Sequence, residues 1–432
     1  MTKLGFPDAT SNRAAPPIKR KNPVLRTRQA TLPPGRRGRT ALGLTAAAAH
    51  GEFALQVCED CRKVQYPPRE ACHHCLSLDL RWRAQSGEAL LLSDTVLHHS
   101  NDLYYRERLP WRLGMVQLLV DGATGPALIC HVHSAVPSPK GPEPLAVRVI
   151  ARLDKSGQAV LIATPQDESV AMADDTQLCE MTCDPRNRKI LVTDAKSVMG
   201  QAMVKACVAA GAEIVWAGQA EPWKRFPGMG DLEFLPQVTW VPLDVTDERS
   251  VNELAGEIGG KVDIVINTAE LHRSFGISGR RGTDVARAEM DINYFGLLRL
   301  AQAFGPALKS RAADGSNNAC AWVNILSVYA LSNFPSQGTY SASKAAALSL
   351  SQCLRAEMAS TGIRVINIFP GPIEDEWNQH MPPPKLAPSA LANAVIKALK
   401  DGVEDVYPGD VAQEWFARWQ ESPKVLEKEL GA

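Results

Sequence analysis

The sequence predicts two folds in one chain: a small all-β unit ahead of a doubly wound α/β sheet. Three observations carry this. Short β-rich runs at Ala89 to Leu97, Leu113 to Val120, Ala127 to Val132 and Leu145 to Ile150 are punctuated by turn residues at Asp121-Gly122 and Lys155 to Gly157, the pattern of a small barrel or sandwich. After Arg188, β-branched runs alternate with helical stretches, which implies parallel strands with helices on both faces. Ahead of both stand two Cys-x2-Cys knuckles.

Length and composition agree. The 432 residues make about three units at roughly 150 per domain. With 45% hydrophobic and 22% charged residues, composition is globular and excludes disordered and collagen-like classes. Forty-seven basic and 47 acidic side chains cancel, which argues against a whole-protein nucleic-acid footprint, and no apolar run reaches the ~18 residues of a membrane span. No secretory start is recognisable, so a cytoplasmic, reducing compartment is expected, and the ten cysteines read as metal ligands or free thiols.

In chain order, residues 1–50 read as a disordered arm, because residues 1–40 carry ten Lys and Arg against Asp8 and lack periodicity. A zinc ribbon is expected over 51–84, the barrel over 85–165, a linker over 166–188 and the α/β unit over 189–432. In the ribbon, Cys58, Cys61, Cys72 and Cys75 form two knuckles ten residues apart. A short hairpin brings such thiolates around one tetrahedral Zn²⁺, and four protein ligands leave no open position, so the ion is structural. His73 and His74 read as spacers. His131 and His133 share a strand face and are expected to be exposed polar side chains rather than a second metal site.

The run from Cys58 through Trp82, with Pro67-Pro68-Arg69 between the knuckles and Gly87 and Thr95 after them, resembles a family of acyl-CoA-associated proteins built from a rubredoxin-like zinc ribbon and an OB-fold barrel. That resemblance implies a thiolase-like protein partner. An OB barrel can also bind single strands, and Trp82, Tyr104, Tyr105 and Trp111 lie near Arg106, Arg108 and Arg112. Their spacing does not follow alternate strand positions, which disfavours nucleic acid.

The chemistry is concentrated in Tyr340-Ser-Ala-Ser-Lys344, with Ser327 thirteen residues before and Asn293 further upstream. Residues i and i+4 share a helix face, so Lys344 is expected close to the Tyr340 hydroxyl, lowering its pKa for proton transfer to or from a carbonyl or alcohol oxygen. Ser327 would donate to the same oxygen and Asn293 would position a relay water. These residues, with "LDV" at Leu243 to Val245 and "FPGPI" at Phe369 to Ile373, resemble the short-chain dehydrogenase/reductase family, whose fold is a Rossmann-like sheet and whose cofactor is NAD or NADP. The resemblance implies that Tyr340 is the acid/base and Lys344 the pKa modulator and ribose ligand. It places Asp244 and Val245 beside the adenine, Pro370 and Gly371 beside the nicotinamide, and Thr193, Lys196, Met199, Gly200, Asn267 and Ala269 around the rest of the dinucleotide.

The departures fall in the cofactor half. The family turn Thr-Gly-x-x-x-Gly-x-Gly reads Thr193-Asp194-Ala-Lys-Ser-Val198-Met-Gly200, and Asn-Asn-Ala-Gly reads Asn267-Thr-Ala-Glu270. Such glycines let backbone approach phosphate closely, and Asp194 adds negative charge there, which Lys196 can offset. Gly218 ends the second strand where NAD-preferring members show an acid, with Lys224 and Arg225 following, so NAD and NADP stay open. Leu271, His272, Tyr329 and Trp377 are pocket-lining candidates, and Trp415, Phe416 and Trp419 share a helical face. The sequence reads best as an oxidoreductase interconverting a hydroxyl and a ketone on an acyl-CoA-type substrate, as a homo-oligomer or hetero-oligomer. The alternatives are a cofactor-free scaffold and, more remotely, a nucleic-acid module.

Overall fold

The computed structural model describes residues 30–431 apart from 36, 142, 167–169, 275, 280 and 315–317. The basic arm's first 29 residues lie outside that range. The expectation of disorder up to residue 50 does not hold: Leu42–Ala49 form helix α1, with Leu44 and Ala48 fully buried in the barrel core. Gly43 permits this docking, since a Cβ there would fall 2.1 Å from the Trp82 ring.

A three-stranded ribbon follows, β1 (Ala54–Cys58) pairing antiparallel with β2 (Val64–Gln65) and β3 (Leu80–Ala84). The barrel is built from β4 (Glu88–Leu97), the short helix α2 (Leu103–Arg106), β5 (Trp111–Val120), β6 (Ala123–Val132), β7 (Leu145–Leu153) and β8 (Ala159–Thr164). Its five strands close in the order β4-β5-β6-β8-β7, with β6 and β8 parallel. Alternate residues fill it, Val147, Val149, Ala151 and Leu153 of β7 all pointing inward, as the two-residue period of a strand dictates. The aromatic set is not a nucleic-acid platform. Tyr104 and Trp111 are buried, and Tyr104, Tyr105, Trp111 and His131 form a chain of edge-on contacts, with Trp111 Nε1 donating to His131 Nδ1 at 2.6 Å. His133 is also buried, its Nδ1 accepting from Ala135 N. Of the expected linker, residues 170–188 pack onto the fold, their short 3₁₀ turns burying Met172, Leu178 and Met181.

The second unit runs β9 (Lys189–Val192), α3 (Val198–Ala209), β10 (Ile214–Gln219), α4 (Met229–Glu233), β11 (Val238–Pro242), α5 (Glu248–Ile258), β12 (Ile264–Asn267), α6 (Asp284–Met290), α7 (Leu297–Arg311), β13 (Ala321–Ile325), α8 (Gly338–Met358), β14 (Arg364–Ile368), α9 (Pro388–Asp401), β15 (Asp405–Val406), α10 (Asp410–Glu421) and α11 (Pro423–Leu430). The seven strands are parallel in the order β11-β10-β9-β12-β13-β14-β15. β12, β13 and β14 are buried at every position, as is β9 after Lys189, as strands covered on two sides must be. Chain order reverses between β9 and β12, which opens a crevice at their carboxyl ends. Trp415 and Phe416 pack internally against Tyr329 and Tyr407. Among the described residues, no helix is long and apolar enough to cross a membrane.

The two units share a seam. The buried Arg364 guanidinium donates to Leu153 O at 3.1 Å and Asp154 O at 2.9 Å on the barrel side, and to Met181 O and Gly402 O on the other. Glu404 N donates to Ala49 O at 2.7 Å.

Candidate functional sites

The four cysteines converge as their spacing requires. Each knuckle makes the same turn: Arg62 N donates to Cys58 O and Leu76 N to Cys72 O, and Arg62 and Leu76 both take positive φ, 59° and 64°. All four Sγ atoms lie within 4.8 Å of one another, with Cys58–Cys75 at 3.6 Å and Cys61–Cys72 at 3.5 Å. A tetrahedral Zn²⁺ with bonds of about 2.3 Å spaces its sulfurs about 3.8 Å apart, so the donor set fits the ion. Backbone N–H groups of Cys75 and His74 bring the Cys72 thiol down to about 6, whereas at Cys75 the Ser77 N–H is outweighed by burial and the neighbouring thiols, which raise it. His73 Nδ1 lies 3.1 Å from Gln65 Oε1 and stays out of the quartet.

The second site lies in the crevice. Ser327 follows β13, Asn293 sits in a π-helical stretch, Asp291–Gly296, between α6 and α7, and Tyr340 and Lys344 share the inner face of α8. All four are buried. Asn293 locks the loop after β12, accepting from Leu271 N and donating to Leu271 O, both at 2.9 Å, and also to Ser343 Oγ at 2.8 Å. Ser327 Oγ accepts from Tyr329 N and points toward Pro370 O at 3.5 Å.

Lys344 places its Nζ 5.6 Å from the Tyr340 ring centroid but takes other direct partners. Its Nζ donates to Ile325 O at 2.9 Å and pairs at 2.9 Å with Glu270 Oε2, which also accepts the Tyr340 hydroxyl at 3.2 Å. Burial, then the Glu270 carboxylate, push the phenol well above its ordinary range rather than below it. Burial also opposes ionisation of Glu270, but Lys344 and then His272 outweigh it and hold that carboxyl low. The His272 ring stacks on Tyr340 at 3.9 Å, and desolvation lowers its pKa. Tyr329 meets Tyr340 edge-on, and the Arg273 guanidinium lies 4.2 Å over Trp377.

The turn before α3 is held by the chain itself. Thr193 Oγ1 donates to Asn267 Oδ1 and accepts from the N–H groups of Thr268 and Ala269. Asp194 Oδ1 accepts from Lys196 N at 3.0 Å, and burial raises its carboxyl. The Lys196 side chain pairs with Glu221 at 3.6 Å, and its charge only partly offsets the effect of burial on Asp194. Met199 and Gly200 open α3; Gly200 is indispensable, since a Cβ would fall 1.9 Å from Asp194 O. Gly218 likewise faces Thr193 O at 2.4 Å, which excludes any side chain, acidic or not. Asp244 closes a turn onto Thr246, Val245 is buried, and Gly371 abuts Val411.

A family model described as short chain dehydrogenase matches residues 188–385. An uncharacterized oxidoreductase of Staphylococcus aureus strain USA300 is 32% identical over 215 residues, spanning 48% of this chain and 89% of that protein. The chain belongs to the short-chain dehydrogenase family. It is an enzyme of that type fused to a zinc ribbon, since residues 45–81 match a model described as the ChsH2 rubredoxin-like zinc ribbon domain. The mouse dehydrogenase/reductase SDR family member 7B is 35% identical over 193 residues, 43% of this chain and 58% of that one. A crystal structure of a short-chain dehydrogenase from Burkholderia cenocepacia in complex with NADP is similar at 34% identity and a TM-score of 0.51, covering 57% of this dehydrogenase and 98% of that chain.

The donor set suits a dinucleotide in kind: an ammonium, a phenol, a buried serine hydroxyl and a capped helix N-terminus at the switch point. Two carboxylates of the chain, Asp194 and Glu270, already occupy part of it. Sequence reasoning singled out Glu270 as a lost glycine but missed its contact with Lys344; a charged residue beside a required ammonium was the available signal.

Proposed function

We propose that the enzyme interconverts a hydroxyl and a ketone on a β-hydroxyacyl-CoA or β-ketoacyl-CoA, using NADP(H). The observation that carries this reading is the convergence of Tyr340, Lys344, Ser327 and Asn293 in one buried crevice. When bound, the nicotinamide donates or accepts the hydride. Thr193, Lys196, Met199, Gly200, Asp244, Val245, Asn267, Ala269, Pro370 and Gly371 line the dinucleotide's path, and Lys344 takes its ribose hydroxyls. Tyr340 gives or takes the proton on the substrate oxygen, Ser327 orients that oxygen, and Asn293 fixes the Leu271 backbone that forms the cleft wall. The absence of room for an acid at Gly218 and the NADP of the Burkholderia relative support NADP over NAD.

The acyl-CoA class is supported by the Arg273 charge beside Trp377, and by the fused ribbon and barrel, whose 1-2-3-5-4 closure we read as an OB fold. Leu76 and Leu78 beside the second knuckle are 77% and 78% exposed, and Met115 and Ile129 form an exposed cross-strand pair. These apolar groups suit docking of a thiolase-like partner. The test follows absorbance of reduced nicotinamide with hydroxyacyl-CoA and ketoacyl-CoA substrates in wild type and Tyr340→Phe. Loss of turnover in the variant is expected, and equal rates in the two overturn the proposal.

A further inference from the structure

In the cleft, one carboxylate oxygen does the work of two absent ligands. Glu270 Oε2 lies 2.9 Å from Lys344 Nζ and 3.2 Å from the Tyr340 hydroxyl, with side-chain exposures of 9% for Glu270 and 3% for Lys344. The other acceptor on Lys344 is a strand carbonyl, Ile325 O, which is fixed by the sheet. The proposed chemistry needs both groups elsewhere, Lys344 on the ribose and Tyr340 on the substrate oxygen. A glycine at 270 would leave them open; a glutamate fills the place with an anion of matched geometry.

We infer that Glu270 is an internal ligand of the reductase cleft that competes with the dinucleotide for Lys344 and Tyr340, and so sets how tightly this enzyme holds its cofactor. The inference rests on the redox reading above. A buried ammonium stripped of its counter-charge is costly, so the pair opens only when the incoming ribose satisfies Lys344. The released carboxylate also needs a partner. His272 stacks on Tyr340 and lies close enough to interact with Glu270, with Gln337 beside its ring. Dinucleotide binding and movement of Glu270 are therefore one event, and affinity is reduced by the fraction of protein in which the pair is closed.

Isothermal titration calorimetry of NADP⁺ and NADPH into the zinc-loaded full chain tests this with wild type, Glu270→Gln and Glu270→Gly. Glutamine keeps the size and an acceptor oxygen for Lys344 without the charge, and glycine empties the place; thermal melts establish that each is folded. At least about tenfold tighter binding by either variant is expected. Equal or weaker binding in both, with wild type still binding, overturns the inference and leaves the redox reading intact. Binding by none of the three overturns both, because a freed Lys344 then holds nothing.

Discussion

The Lys344 ammonium and the Glu270 carboxylate form a buried ion pair at 2.9 Å at the point where the sheet's chain order reverses. The pair ties α8 to the loop after β12 and replaces a lysine–tyrosine interaction with a carboxylate-centred triad. Its consequences for ionisation, stability and assembly are separable.

Tyrosine ionisation reports the pair directly. Burial first and Glu270 second hold the Tyr340 phenol up, so its protonated form is the favoured one in the fold. Ultraviolet difference titration against Tyr340→Phe should show no ionisation of this phenol through its ordinary range near 10 in wild type, and a downward shift in Glu270→Gln. No shift would mean that the carboxylate does not bear on the phenol.

Acid should weaken the same pair. The Glu270 carboxyl is held below its ordinary 4.5 in the fold, so its contribution is present above that value and lost as pH falls through the lowered one. Chemical denaturation should show the gap between wild type and Glu270→Gln shrinking as pH falls below 4.5; a constant gap across the range would contradict this.

Asp194 behaves oppositely. Its raised carboxyl binds a proton more tightly in the folded chain, so it costs stability as pH rises above its ordinary 3.8. Asparagine can still accept from Lys196 N, so Asp194→Asn should stabilise at neutral pH, with the gain vanishing in acid. A destabilised variant at pH 7 would contradict the burial argument.

Zinc should be needed for the ribbon and not for the sheet. Chelation or Cys72→Ser should unfold residues around β1–β3, visible as loss of hydrogen-exchange protection there, while α8 and β12–β14 stay protected. Loss of protection throughout would show that the metal supports both units.

Arg364 should couple the units. Arg364→Ala leaves carbonyls of Leu153, Asp154, Met181 and Gly402 without this donor, a loss of about 1–3 kcal/mol for each group left unsatisfied. Calorimetric melting should split from one transition into two; an unchanged single transition would show that the seam holds without it.

Much of this was legible in the sequence because it depends on local period and spacing. The quartet, the strand–helix alternation and the Tyr340–Lys344 interval each state their geometry in a few residues. Helix α1 was hidden because its apolar stretch follows a basic arm, and what it buries against, the barrel core and the Trp82 ring over Gly43, comes from later in the chain. Tyr105 and Trp111 looked like a surface because Met172, Leu178 and Met181, far along the chain, pack over them. Glu270 was visible as a lost glycine, yet the partner it finds is 74 residues away and is set by tertiary packing alone.

A crystal structure of the enzyme with NADP(H) bound tests the central claim most directly. The account predicts that Lys344 Nζ leaves Glu270 and lies within hydrogen-bond distance of a ribose hydroxyl, with the Tyr340 hydroxyl free to face the nicotinamide. A nucleotide seated in the crevice with the Lys344–Glu270 pair still closed would contradict it.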